Sequence, residues 1–332
     1  MVTALRTHQR MIFVLFVCLA LALTACRRGG GAGGPTLQPT LTPTPRSTPL
    51  PSLEPTLAPG SEDNPIRIVL ARPASGTDRQ INTAATALAN AIGQETSLSV
   101  TVEVVPTSAD AITELCASVS GIPTAAWLNG LAYAAANAQG CGTAALIGRR
   151  GSGSDATTAE TVQIIVNRST GFTGLGGLLD PSVEFCRLSM TDLYSWLIPS
   201  LMMEANNVSP TAIGTVRDYE DAESLIQAVA SGECDAAGVA RSVYDEISTA
   251  AIRSAVTTLG TAVEVPYALL AYPLEIPLGT RLVINEALLD YSESALRTLL
   301  GVDRVIRLTD EALNSFNTFL RRTGLDFAAF GS

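Results

Sequence analysis

From residue 64 onward the chain alternates between two spacings of apolar residues. Ile66-Arg-Ile-Val-Leu70 and Leu98–Val105 carry the continuous or alternating runs of strands. Thr83–Ile92 and Ala109–Val119 place Ala, Leu and Ile three and four apart, as helices do. A strand ending in Trp127-Leu128 is followed by the turn Asn129-Gly130 and a helical stretch, Leu131–Gln139. Then come a polar Gly/Ser-rich loop (Gly148–Thr158) and the apolar strand Thr161–Asn167. Val183–Leu188 reads as a strand, Ser189–Asp192 as a polar turn, and the next stretch as a helix through Met203. A strand near Gly214–Val216, the helix Asp221–Ser231, the strand Asp235–Val239 and the Val/Leu/Tyr-rich Thr261–Tyr272 complete the alternation. The remainder is expected to be helical: Gly279–Leu289, Ser292–Leu300 and Thr309–Arg322. Strands alternating with helices predict a mainly parallel α/β architecture with right-handed crossovers.

Two stretches have the same local design. In Thr124–Gln139 and in Val183–Met203 a strand feeds the N-terminus of a helix. Such an end aims unpaired backbone N–H groups and a positive dipole at one spot, which favours small ligands and anions above all. Two facing units of this kind suggest a cleft with one wall on each of two lobes. Thr161–Asn167 would carry the chain from the first lobe to the second, and Thr261–Tyr272 would bring it back.

The first 62 residues are different. Arg6 and Arg10 precede the apolar run Met11–Leu23, which ends in Leu23-Thr24-Ala25-Cys26. That is the form of a secretory signal. It resembles a lipobox, in which residues 1–25 are removed and Cys26 becomes a lipid-bearing N-terminus. The run is short of the ~20 residues a membrane span needs. Residues 26–62 are glycine-rich and then carry proline every few positions from Pro35 to Pro59. Such a segment has no core and favours an extended tether at ~3.1 Å per residue. The body is thus expected outside the cytoplasm, held to the membrane by a lipid on Cys26.

Composition narrows the chemistry. Of 332 residues 47% are hydrophobic, ample for a core. The chain has no lysine, and removing Arg6 and Arg10 leaves 19 basic residues against 31 acidic ones, a net charge of −12. Nucleic acid is a poor partner for such a surface. The only histidine, His8, lies in the leader. The mature chain therefore has no histidine for acid–base catalysis or metal ligation, and no nucleophile elbow, phosphate loop or metal cluster is evident. No catalytic residue, metal or cofactor is expected.

The two strand–helix units also carry a family resemblance. Trp127-Leu128-Asn129-Gly130-Leu131-Ala132-Tyr133 is similar to the Trp-Leu-Gly-Pro-Leu-Ser-Tyr motif of phosphonate-type solute-binding proteins of bacterial ABC importers. Phe185, Trp196, Leu197 and Pro199 fit that family's Phe-x-x-x-Asp-Pro-x-Ser-Thr-Ser-Gly-Tyr-Leu-x-Pro pattern, and Gly232-Glu-Cys-Asp-Ala-Ala-Gly-Val resembles its Gly-Glu-x-Asp-Ala-Gly. The likeness implies a type II periplasmic-binding-protein fold with two α/β lobes joined by two crossing strands. Lobe 1 would be 63–166 with 266–332, and lobe 2 would be 167–265. It further implies a monomer that captures a small molecule between its lobes and passes it to an ABC permease. A lipoprotein that senses the ligand for a membrane receptor is the alternative, and a cell-surface enzyme a more distant one.

Residue roles follow from the same likeness. Asp192, Leu193, Tyr194 and Ser195 stand where the family's Ser-Thr-Ser-Gly receives phosphonate oxygens, and of the four only Ser195 carries an aliphatic hydroxyl. Asp192 is also a good helix N-cap, and either way puts negative charge where the family binds an anion. Tyr133 matches a motif tyrosine, with Asn129 opening the same helix. Trp127 is expected in the core, and Asp110 as a first-turn helix acid. Arg72, after the first strand, falls at the cleft because ligands in open α/β sheets gather at strand C-termini. Arg241 follows the Asp235–Val239 strand and either pairs a ligand carboxylate or sits solvated. Four cysteines remain once Cys18 of the leader and Cys26 are set aside, allowing three pairings. Cys116 and Cys141 flank the Trp127 unit, and the likeness makes the strands opened by Cys186 and Cys234 neighbours, so Cys116–Cys141 and Cys186–Cys234 are expected. The Asp192 substitution makes a simple phosphonate an unexpected ligand, and favours an uncharged, cationic or zwitterionic one against Tyr133, Tyr194 and Trp196.

Overall fold

The computed structural model describes residues 57–118, 122–291 and 294–329, and the leader, Cys26 and most of the tether lie outside them. The first element, β1 (Ile66–Ala71), is almost wholly buried and lies inside a sheet. Helix α1 (Asp78–Thr96) begins at a capping box in which the Thr77 side chain accepts the Gln80 amide and Gln80 reaches back to the Thr77 amide. It lays Ile81, Ala84, Ala85, Leu88 and Ile92 on the sheet, and each fully buried Ile or Leu contributes about 1.5–3 kcal/mol. There follow β2 (Val100–Val105), α2 (Ser108–Ala117), β3 (Thr124–Leu128), α3 (Gly130–Ala138) and β4 (Thr143–Arg149).

The chain then crosses to a second sheet. This contains β5 (Ala159–Asn167), β6 (Glu184–Arg187), α4 (Ile198–Glu204), β7 (Thr215–Asp218), α5 (Ala222–Ser231), β8 (Ala236–Ala240), α6 (Arg241–Ile247), α7 (Ala250–Ala255) and β9 (Val256–Pro266) with their connections. It returns through Tyr267-Ala268 to β10 (Leu269–Tyr272), α8 (Leu278–Leu289), α9 (Ser294–Leu300), β11 (Arg304–Arg307) and α10 (Asp310–Thr323).

The strand orders are β11-β4-β10-β3-β1-β2 and β7-β6-β8-β5-β9. Both sheets are mixed, where mainly parallel ones were expected. β1 is parallel to β2 and β3, and β6 to β7 and β8. The antiparallel pairs all involve crossing or returning strands: β5 with β8 and β9, β10 with β3 and β4, and β11 with β4. A chain that leaves at the end of β4 and re-enters from the same edge must run back against its neighbours. β1 to β4 therefore end at one edge, where β10 and β11 begin, and β6 and β8 end beside the start of β5.

Two further expectations are corrected. The segment after Tyr272 is not all helix, because Arg304–Arg307 is strand β11 on the edge of the first sheet. Four residues with one fully buried side chain, Val305, are too short for a period to be read. The helix expected to run straight from Asp192 to Met203 opens instead with a π turn, Leu193–Leu197, in which Leu197 N–H reaches back to Asp192 O. Pro199 explains the widening. It lacks an N–H, and its ring would clash with the Ser195 carbonyl in a regular α-turn. Gly238 on β8 lets this turn lie flat, since a Cβ there would meet Pro199 Cγ at 2.2 Å and Ser195 O at 2.6 Å.

Helix α10 follows β11 of the first sheet but buries Phe316 and Leu320 among Val162, Ile164 and Val263 of the second, and Leu131 and Ala134 of α3 pack on the same core. Cys116 is bonded to Cys141 beside the first sheet (Cα–Cα 4.7 Å), and Cys186 to Cys234 beside the second (6.1 Å).

A buried polar cluster between the two sheets

Strand ends from both sheets converge on the crossing segments. Arg150 and Thr157 bridge across the outgoing loop, and the Tyr267 amide on the returning segment donates to Thr158 O. Here lies a cluster that the sequence analysis did not single out: Arg150 and Thr157 fall in the expected polar loop Gly148–Thr158, and Glu160 lies outside every expected element. Glu160 is 3% exposed and accepts three hydrogen bonds: from the Ser242 amide (3.2 Å), the Ser242 hydroxyl (2.7 Å) and Arg150 Nη1 (3.3 Å). Arg150 Nε donates to Gly301 O at 2.6 Å, and its guanidinium lies 4.1 Å above the Tyr267 ring. The Tyr267 hydroxyl meets Thr157 Oγ1 at 3.3 Å. One arginine thus ties the first sheet's α9–β11 turn, the return crossing and the second sheet together. A buried carboxylate is stable only when paired and hydrogen-bonded like this. The signal was available. Glu160 shares a strand face with Val162, Ile164 and Val166, all buried, so period-2 reading extended by one step places it inside.

Asp192 is the N-cap of the π turn. Its Oδ1 accepts the Tyr194 amide at 3.1 Å and the Ser195 amide at 2.6 Å. Ser195 is 2% exposed, and its hydroxyl accepts the Leu188 amide at 3.0 Å. The donors that would meet an anion at this helix start are therefore occupied within the protein. Tyr194 reaches toward the junction. Burial raises its phenol to about 12, the Arg150 charge opposing and Glu160, Tyr267 and Asp192 adding to the rise.

The other candidates scatter. Asn129 caps α3, accepting the Ala132 amide (2.9 Å) and donating to Ser108 Oγ (3.3 Å) at the cleft edge of the first sheet. Tyr133 does not face the junction: it is buried, and its hydroxyl accepts from Asn137 Nδ2 and the Ala144 amide, at the far end where β4 begins. Helical geometry carries it a full turn along α3 from Asn129. Arg72 pairs with Asp78 at the start of α1. Arg241 opens α6 and pairs with Asp245 at 3.5 Å, both largely exposed, while its neighbour Ser242 holds Glu160. One face of Trp196 is taken by Arg187, which stacks on it at 4.5 Å, and Phe185 meets the ring in a T-shaped contact at 5.7 Å. Asp110 is the capping-box acid of α2. Trp127 is 3% exposed at the end of β3, and its indole N–H has no partner among the described residues. Among those residues no group of three or more His, Cys, Asp or Glu converges on a metal position.

Comparison with solved structures shows the type II binding-protein fold. The binding protein component of an ABC phosphonate transporter from Pseudomonas aeruginosa matches with a TM-score of 0.50 at 15% identity, covering 81% of this chain and 90% of that one. A Xanthomonas citri protein solved with bound chloride matches at 0.57 with 11% identity, covering 78% and 97%. The same protein bound to ATP gives 0.57 at 10% identity, again covering 78% and 97%. No curated protein sequence matches significantly. The family model for the periplasmic substrate-binding protein of phosphonate ABC transporters matches residues 73–313, most of the chain. The chain belongs to that family of extracytoplasmic substrate-binding proteins.

Proposed function

We propose that this protein is a lipid-anchored member of the family, held to the membrane through Cys26 and the 26–62 tether. It captures a small solute between its two lobes for an ABC permease. In this reading 63–166 with 266–332 forms one lobe and 167–265 the other, and closure turns about the paired crossings at 150–158 and 267–268. The solute is not a simple phosphonate. One observation carries that conclusion: the Asp192 carboxylate caps the very amides, Tyr194 N–H and Ser195 N–H, that a helix N-terminus would offer an anion. Adding a phosphonate would set like charges a few Å apart, at a cost of about 3–4 kcal/mol for an effective dielectric near 20. Calorimetry with phosphate, methylphosphonate and 2-aminoethylphosphonate is expected to give no dissociation constant below about 1 mM. Micromolar binding of any of the three would refute the assignment.

A further inference from the structure

The groups left unpaired at the junction have complementary chemistry. Asp192 Oδ1 is fully used by two amides, whereas Oδ2 accepts no hydrogen bond among the described residues. A carboxylate offers about four lone-pair sites, so this one has capacity to spare. Across the junction Arg150 is pinned by Gly301 O, Glu160 and the Tyr267 ring. Its Nη2 donates to no acceptor among the described residues, and the side chain is 37% exposed. The Tyr194 hydroxyl, in the field of both Arg150 and Asp192, makes no hydrogen bond among those residues. The free groups are thus one carboxylate oxygen and one guanidinium edge, on side chains held by other bonds, and one phenol, on a ring packed against the core of the second sheet.

Charge decides among ligand classes. Around the Tyr194 phenol stand one guanidinium, Arg150, and two carboxylates, Asp192 and Glu160. Glu160 is held by Ser242 and Arg150, and Asp303, also in the field of Arg150, is bonded to Arg297 and the Gly151 amide. A wholly anionic solute would meet an excess of negative charge, and a wholly cationic one would face the free edge of Arg150. A molecule with both charges satisfies both sides, and its carboxylate suits the planar guanidinium fork.

On the solute-binding role proposed above, we propose that the junction takes a zwitterion of amino-acid type. Its carboxylate sits on Arg150 Nη2 and the Tyr194 hydroxyl, and its ammonium on Asp192 Oδ2. The test uses the full-length chain in detergent, screened by thermal shift and then calorimetry. The probes are the twenty amino acids and glycine betaine, each hit compared with its deaminated acid and its decarboxylated amine. Sugars, polyamines, dicarboxylates and phosphonates run alongside. At least one zwitterion is expected to bind ten-fold or more tighter than either of its halves. Asp192→Asn keeps the helix cap, because Asn caps as well as Asp. It should weaken the zwitterion at least ten-fold and leave the deaminated acid unchanged or tighter. Tyr194→Phe should weaken the zwitterion and the deaminated acid alike, several-fold. A zwitterion hit indifferent to Asp192→Asn overturns the assignment, as does micromolar binding confined to the other compounds, which would leave solute capture standing. No shift from any compound overturns both readings.

Discussion

Replacing Glu160 with Gln removes a charge without changing shape, and the structure sets what that should do. Glu160 is buried and accepts from Arg150 Nη1 and twice from Ser242. In the Gln variant one oxygen still receives the Ser242 amide, and the Ser242 hydroxyl turns to accept from the new NH2. In that orientation the Arg150 bond is lost, because donor would face donor; flipped, the amide keeps Arg150 without its charge and sets its NH2 against the Ser242 N–H instead. Losing a charge-assisted hydrogen bond costs about 1.5–3 kcal/mol. Orphaning a fully buried cation would cost about 3–5 kcal/mol. Arg150 is 37% exposed and keeps Gly301 O and the Tyr267 ring, so the lower range applies. The expected loss is about 2 kcal/mol, or roughly 4–8 °C in melting temperature for a body of this size.

The assay is urea denaturation of wild type, Glu160→Gln, Arg150→Met and the double variant. If the pair is the seat of the effect, the double variant loses less than the two singles together, by about 1–2 kcal/mol. A Glu160→Gln loss below about 0.5 kcal/mol, or strict additivity, would refute the reasoning, since typical surface substitutions fall in that range.

Two further outcomes are expected. Cys26→Ser should release the protein from membrane fractions or leave its leader unprocessed, and unchanged fractionation and mass would rule out the lipid anchor. Spectrophotometric titration should show a tyrosine ionising near pH 12 that is missing in Tyr194→Phe. With the folded value at about 12 and the unfolded one near 10, the folded state holds the proton more tightly. The contribution of Tyr194 is therefore fully present below pH 10 and is lost as pH rises through 12, up to about 2–3 kcal/mol. Relative to the variant, wild type should lose stability over that range, and parallel stability curves would contradict the burial.

The chain's spacing made much of the fold legible because burial imposes a period on it. β1 is buried nearly throughout, and the inner face of α1 repeats at three and four residues. Both reveal themselves without any partner in view. What escaped is fixed by partners distant in sequence. β4 reads Thr-Ala-Ala-Leu-Ile-Gly-Arg and owes its strand state to pairing with β10 and β11, more than a hundred residues on. The mixed sheets have the same origin, since no local pattern records the direction from which a strand returns.

At the junction, local chemistry was the readable part. Asp192 behaves as the cap its position implied, because capping involves only the next three residues. Tyr133 was misplaced because motif likeness carries a residue type but not the direction of its side chain, and its hydroxyl turns to Asn137 and Ala144. Arg150 fell in the polar loop and Glu160 in no element because their contacts come from residues 242, 267 and 301, on three separate elements. Yet burying a carboxylate at the root of a strand that links two sheets is costly unless the arrangement around it is held fixed. On the solute-binding role proposed above, the start of β5, more than either helix N-terminus, is where closure of the two sheets and recognition of a solute would be coupled.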